Sequence, residues 1–159
     1  MIYSVLFVVL FSCGFQSQSS NDVFEISRAM INENNEIKLS IKITNKEELA
    51  TIFYMPDTQD LCTNILQFYI LDKEGTQYYY DICESDEQLD EIMITEKNSR
   101  KLERGKSIQL DYQLNLSSFS TKLSKESIDE IKCVIDYPEA NLVGSSNIYQ
   151  KKIESKIKL

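Results

Sequence analysis

Four cysteines, nine tyrosines and a run of acidic side chains are the chemically distinctive residues of this chain, which contains no histidine. The missing imidazole removes His-based triads, His general acid–base chemistry and nearly all zinc and non-haem iron sites. Nucleophilic catalysis would have to use Ser with Lys, or Cys without His. No S-x-x-K or G-x-S-x-G element sits in a suitable context. Ser124-Lys125 and Ser155-Lys156 are adjacent pairs, so on a strand their side chains point to opposite faces. There is no Gly-rich phosphate loop. No catalytic residue is expected, and the chain reads as a non-enzyme.

Two other groups invite a site. Asp81 to Glu91 hold six carboxylates and no Lys or Arg, an oxygen density that could bind Ca²⁺. The spacing matches no EF-hand or nonapeptide calcium repeat. A solvated acidic loop that opens a short helix at Ser85 explains it as well, so no metal and no cofactor are expected. Seven aromatics crowd between Phe53 and Tyr80. On a strand, Tyr78 and Tyr80 share one face and Tyr79 takes the other. One face should be core, and the outward tyrosines could form a platform for a peptide or glycan. With 17 Lys and Arg against 25 Asp and Glu, a net charge of −8, nucleic acid is excluded as a partner.

At 159 residues, 42% hydrophobic, the chain holds one domain and a leader. Ile2 to Phe11 form an apolar run of ten residues, the length of a signal-peptide core and too short to span a bilayer. The run ends in Leu10-Phe11-Ser12-Cys13-Gly14. That ending resembles the lipobox of bacterial lipoproteins, of the Bacteroidetes type. The resemblance implies that residues 1–12 are a lipoprotein signal peptide and that Cys13 is lipidated as the mature N-terminus. Phe11 is bulkier than usual and the basic n-region is missing. An uncleaved anchor or an ordinary signal peptide cut near Gly14 therefore stays open. Residues 13–22 have tether composition, polar and rich in Ser and Gln, and residues 23–159 form the domain. Two acyl chains on Cys13 would suffice for stable anchoring.

The body alternates with period two. Glu36 to Ile43, Ile108 to Leu116 and Ile131 to Tyr137 each place apolar residues at every second position. Each pattern predicts a strand with one buried and one wet face. The expected core is Ile37, Leu39, Ile41, Ile43, Ile108, Leu110, Tyr112, Leu114, Ile131, Cys133 and Ile135. Weaker strand candidates are Val23–Ile31, Thr51–Met55, Ile65–Leu71, Gln77–Ile82, Ile92–Thr95 and Asn147–Ile153. Asn32-Glu33-Asn34-Asn35 and Asp72-Lys73-Glu74-Gly75 carry turn chemistry. Short strands at this spacing predict an all-β protein: an antiparallel β-sandwich of roughly 7–9 strands, with a closed barrel as the alternative. The stretches IKLSIKITNKEE, LDKEGTQYYY and LERGKSIQLDYQLNLSSF resemble immunoglobulin-like sandwich modules of bacterial lipoproteins. A small bacterial proteinase-inhibitor family of the same fold shares the strand-Asn-Lys pattern.

With Cys13 given to lipid, three cysteines remain in an oxidising compartment. If Asp72 to Gly75 is a four-residue hairpin loop, Leu71 faces Thr76. Cys62 and Cys83 then lie at the open end of one hairpin, two residues out of register, and a bulge would join them. Cys133 lies on an apolar face, where a free thiol behaves as a small buried hydrophobe. A Cys62–Cys83 disulfide is expected, with three reduced cysteines as the alternative. Together these features predict a lipid-anchored, extracytoplasmic protein of the bacterial cell envelope. It would touch the membrane through its N-terminal lipid and act as a binding or accessory module for a protein or peptide. The alternative function is proteinase inhibition, with Met55–Thr63 and Pro138–Ser146 as the loops long enough to present to a protease.

Overall fold

The computed structural model describes residues 23–57, 65–81, 95–120, 122–137 and 147–159. Nine strands run through these segments: β1 (Phe24–Ile31), β2 (Glu36–Thr44), β3 (Thr51–Tyr54), β4 (Leu66–Asp72), β5 (Gln77–Tyr79), β6 (Ser99–Leu102), β7 (Ser107–Asn115), β8 (Ile128–Ile135) and β9 (Ile153–Lys158). Two single 3₁₀ turns, Leu116–Ser118 and Lys125–Ser127, lie between β7 and β8. The strands form a three-stranded sheet β1-β2-β7, a four-stranded sheet β5-β4-β8-β9 and a two-stranded ribbon β3-β6. All ladders are antiparallel. The protein is an antiparallel β-sandwich, and none of its sheets closes into a barrel. The orders 1-2-7 and 9-8-4-5 follow the A-B-E and G-F-C-C′ connectivity of an immunoglobulin-like sandwich, with β3 and β6 as an added ribbon.

The central strands explain the packing. β2 turns Ile37, Leu39, Ile41 and Ile43 inward, and β4 turns Leu66, Phe68 and Ile70 inward. β8 adds Ile131, Cys133 and Ile135. Burying one such side chain stabilises by about 1.5–3 kcal/mol. Rings knit the layers: Phe68 meets Tyr112 of β7 edge-on at 5.3 Å, and Phe53 of the ribbon stacks on Tyr149 at 4.9 Å. The expected core residues Ile108 and Leu110 are corrected to half-buried, because they stand on β7, whose ladder partner among the described residues is β2 alone.

At the sandwich edge, β1 carries a bulge between Ile26 and Arg28. Ser155 Oγ on β9 accepts from the Ile26 backbone N–H at 3.0 Å, linking the two sheets there. That inward serine also accounts for a second correction. The last strand is Ile153–Lys158, not Asn147–Ile153. Ile153 and Ile157 point inward with a serine between them, so apolar alternation is interrupted. Residue 148 makes only an isolated bridge to Ile52. The sequence offers no signal for β6: Ser-Arg-Lys-Leu has one apolar residue, Leu102, and shows no period.

The Asp72 hairpin is tighter than the sequence suggests. Leu71 faces Gln77, and Asp72 belongs to β4, with its N–H bonded to Thr76 O at 3.0 Å. Its carboxylate accepts from the N–H groups of Glu74 at 3.0 Å and Thr76 at 2.7 Å, and Gly75 takes φ +87°. This is a three-residue loop with a G1-type bulge. The expected Cys62–Cys83 pairing assumes a four-residue loop here. Both cysteines lie outside the described residues.

Candidate functional site

Alternation divides the tyrosines as expected. Tyr78 and Tyr80 pack against the core, while Tyr79 is 61% exposed on the outer face of the β5-β4-β8-β9 sheet. Register then builds a row across four strands: Tyr79 opposite Tyr69, Tyr69 opposite Lys132, Lys132 opposite Lys156. The Tyr69 and Tyr79 rings meet at 4.9 Å and 66°, a favourable cross-strand aromatic pair. Tyr69 donates its hydroxyl to Gln67 Oε1. Burial, reinforced by Tyr79, raises the Tyr69 pKa above the ordinary phenol value. It stays a neutral donor at physiological pH.

Two lysines facing each other across a ladder would repel. Here each turns diagonally to a carboxylate, Lys132 to Glu154 at 2.8 Å and Lys156 to Glu130 at 3.2 Å. The hydrogen bond from Lys132 holds the Glu154 carboxyl below its ordinary pKa. Between this charged half and the tyrosine half lies a shallow groove of about 240 Å³, lined by Tyr69, Leu71, Gln77 and the four paired ions. Val134 is also buried on this outer side, apart from the core cluster. The face therefore offers aromatic area, apolar floor and self-neutralised charge. Among its described residues no nucleophile is paired with a base.

A second hollow, of about 440 Å³, lies between the Glu47–Thr51 loop and residues 147–151. Asn45, fully buried, sets this loop. Its Oδ1 accepts from Glu47 N–H at 2.9 Å, and its Nδ2 donates to Leu49 O at 3.0 Å and Leu102 O at 2.8 Å. Its backbone N–H and C=O bond to Lys106 O and Gly105 N–H. Every polar group of Asn45 is satisfied, so the loop is pinned. Leu49 nevertheless stands 64% exposed at its tip. Lys151 bonds Glu47 at 2.8 Å and lies 5.6 Å from the Tyr149 ring centre. Sequence reasoning missed this loop, because Lys-Glu-Glu-Leu-Ala reads as an ordinary solvated run.

The other sequence candidates fare as follows. Cys133 is buried, as expected, and burial pushes its thiol pKa up, so it is inert packing rather than a nucleophile. Cys13 lies outside the described residues, as do the acidic stretch beyond Asp81, the loop Pro138–Ser146 and most of Met55–Thr63. Among the described residues no three His, Cys, Asp or Glu side chains are placed to hold a metal. Among them, too, no helix is long and apolar enough to cross a membrane. Tyr137 packs edge-on against both rings of the Phe53–Tyr149 stack; its hydroxyl is buried and has no hydrogen-bond partner among the described residues, and desolvation drives its pKa upward. No protein-family model, curated protein or solved structure matches the chain.

Proposed function

We propose that the protein is a non-enzymatic, lipid-anchored cell-envelope module that binds a protein or peptide partner through the outer face of its β5-β4-β8-β9 sheet. The observation that carries the binding reading is the exposed Tyr79, paired with Tyr69 beside the groove. Tyrosine gives large contact area at small entropic cost, and it is enriched in interface cores for that reason. The anchoring part rests on the apolar run ending at Ser12-Cys13 and the polar segment after it. Lipid at Cys13 would keep the module at a bacterial membrane on the extracytoplasmic side.

The test is a photo-crosslinking amino acid placed at Tyr79 and, in parallel, at Gln109 on the other sheet, in the full chain expressed in a bacterial envelope. Position 79 should give a discrete adduct and position 109 none, with the adduct lost when unlabelled wild type competes. No adduct at 79, or equal adducts at both positions, would contradict the reading.

A further inference from the structure

Val23, the first described residue, marks the end of the sandwich from which the N-terminal segment leaves. Its carbonyl accepts from Thr44 N–H at 2.7 Å, and the next residue, Asn45, holds Leu49 O at 3.0 Å. The exit of the N-terminal segment and the exposed Leu49 therefore share one end, together with the Glu103–Lys106 turn bonded to Asn45. We infer that this end of the sandwich faces the membrane and that Leu49 contacts the bilayer interface. The inference rests on the lipid anchor of the proposed function and adds an orientation and a lipid contact to it.

Chain length supports the orientation. Nine residues separate Cys13 from Val23, which spans at most about 35 Å when fully extended. The nine residues of β2 rise about 30 Å from one end of the sheet to the other. Turning the Asn32 hairpin toward the bilayer would lift Val23 by nearly the full reach of that segment, at the conformational entropy cost of a stretched chain. Placing the Val23 end downward needs no stretching.

Chemistry supports the contact. Leu49 is the most exposed large apolar side chain among the described residues, and the Asn45 bonds hold it out. Lys151 and Glu47 neutralise each other at 2.8 Å. The remaining exposed charges around the loop are Lys46, Arg104 and Lys106 against Glu48 and Glu103. On a chain of net charge −8, this end carries a surplus of one cation among its described residues, so anionic lipid does not repel it. A rigid apolar tip with flanking lysines suits the headgroup boundary.

The chain has no tryptophan, so Leu49→Trp introduces a single indole fluorophore. The full chain carrying Leu49→Trp, and separately Tyr79→Trp, is purified with its lipid and reconstituted in vesicles of phosphatidylethanolamine and phosphatidylglycerol with brominated acyl chains. The indole at position 49 should shift its emission to shorter wavelength and be quenched. The indole at position 79 should match its signal in lipid-free buffer. Quenching at 79 without quenching at 49, or at neither, overturns the orientation while leaving the anchor intact. Fatty-acid labelling of the same preparations, with Cys13→Ser as reference, separates the two ideas. Absence of label in wild type would remove the anchor itself.

Discussion

The outer face of the β1-β2-β7 sheet presents Lys38, Lys42, Gln109 and Gln113, all exposed. The outer face of β5-β4-β8-β9 presents Tyr79, Tyr69 and Leu71, with Val134 buried beneath its neighbours. Both sheets use the same alternation, and their inner faces merge into one core. The difference lies wholly in what the second residue of each period is. On the first sheet Asp111 is held by Ser40 Oγ at 2.6 Å and Gln109 at 2.9 Å, and these bonds keep its pKa below the ordinary value. That is a solvated surface bonded to itself. Its exposed large apolar side chain is Met30, 40% accessible. On the second sheet the same positions form a paired aromatic platform beside a groove. A sheet needs such a platform for nothing internal, which is why this face carries the binding proposal.

The comparison requires that the interiors be equivalent. Ile41→Ala in the first sheet and Ile131→Ala in the second should each cost about 2–5 kcal/mol, read by urea unfolding as a lowered midpoint in one cooperative transition. Two separable transitions would mean that the sheets do not share a core.

A smaller effect separates the hairpins that open the two sheets. Asn32 and Asp72 play the same part. Asn32 Oδ1 accepts from the N–H groups of Asn34 and Glu36, as Asp72 does from Glu74 and Thr76. The left-handed position falls to Asn35 at φ +59° in the first and to Gly75 in the second. Only Asp72 titrates. The Thr76 N–H, helped by Tyr78 and Glu74, holds its carboxyl below the ordinary range despite partial desolvation. A depressed folded-state pKa gives stability that is present above the unfolded carboxylate pKa and lost as pH falls through the folded one. Asp72→Asn should therefore be less stable than wild type near pH 7, because the amide keeps the geometry seen at Asn32 but loses the charge-assisted bonds. Below about pH 4, the ordinary carboxylate range, the variant should lose less stability than wild type. Parallel acid curves for the two proteins would show that Asp72 gains nothing from its bonds.

Much of this architecture was legible because one face of each central strand is buried and the other wet. β2 and β7 announce themselves by unbroken alternation, and Cys133 by its place between Ile131 and Ile135. The same rule divided Tyr78 and Tyr80 from Tyr79. It failed wherever a polar group does an inward job. Ser155 hid β9 by facing Ile26, and Asp72, a turn former by type, ended β4 and moved the hairpin register by one residue. The partner of Tyr79 was illegible for another reason: that Tyr69 lies beside it depends on that register. Leu49 gave no signal, because its exposure follows from Asn45 reaching three residues in the folded state.

Hydroxyl-radical footprinting reads both outer faces at once, since Met30 and Tyr79 are oxidisable and stand on opposite sheets. The full chain is footprinted purified and again in intact bacterial envelopes, and oxidation at the two residues is compared by peptide mass spectrometry. The expected result is oxidation of both residues in the purified protein and protection of Tyr79, but not Met30, in the envelope. Equal oxidation of Tyr79 in both settings, or protection of Met30 instead, would contradict the assignment of the tyrosine face as the binding surface.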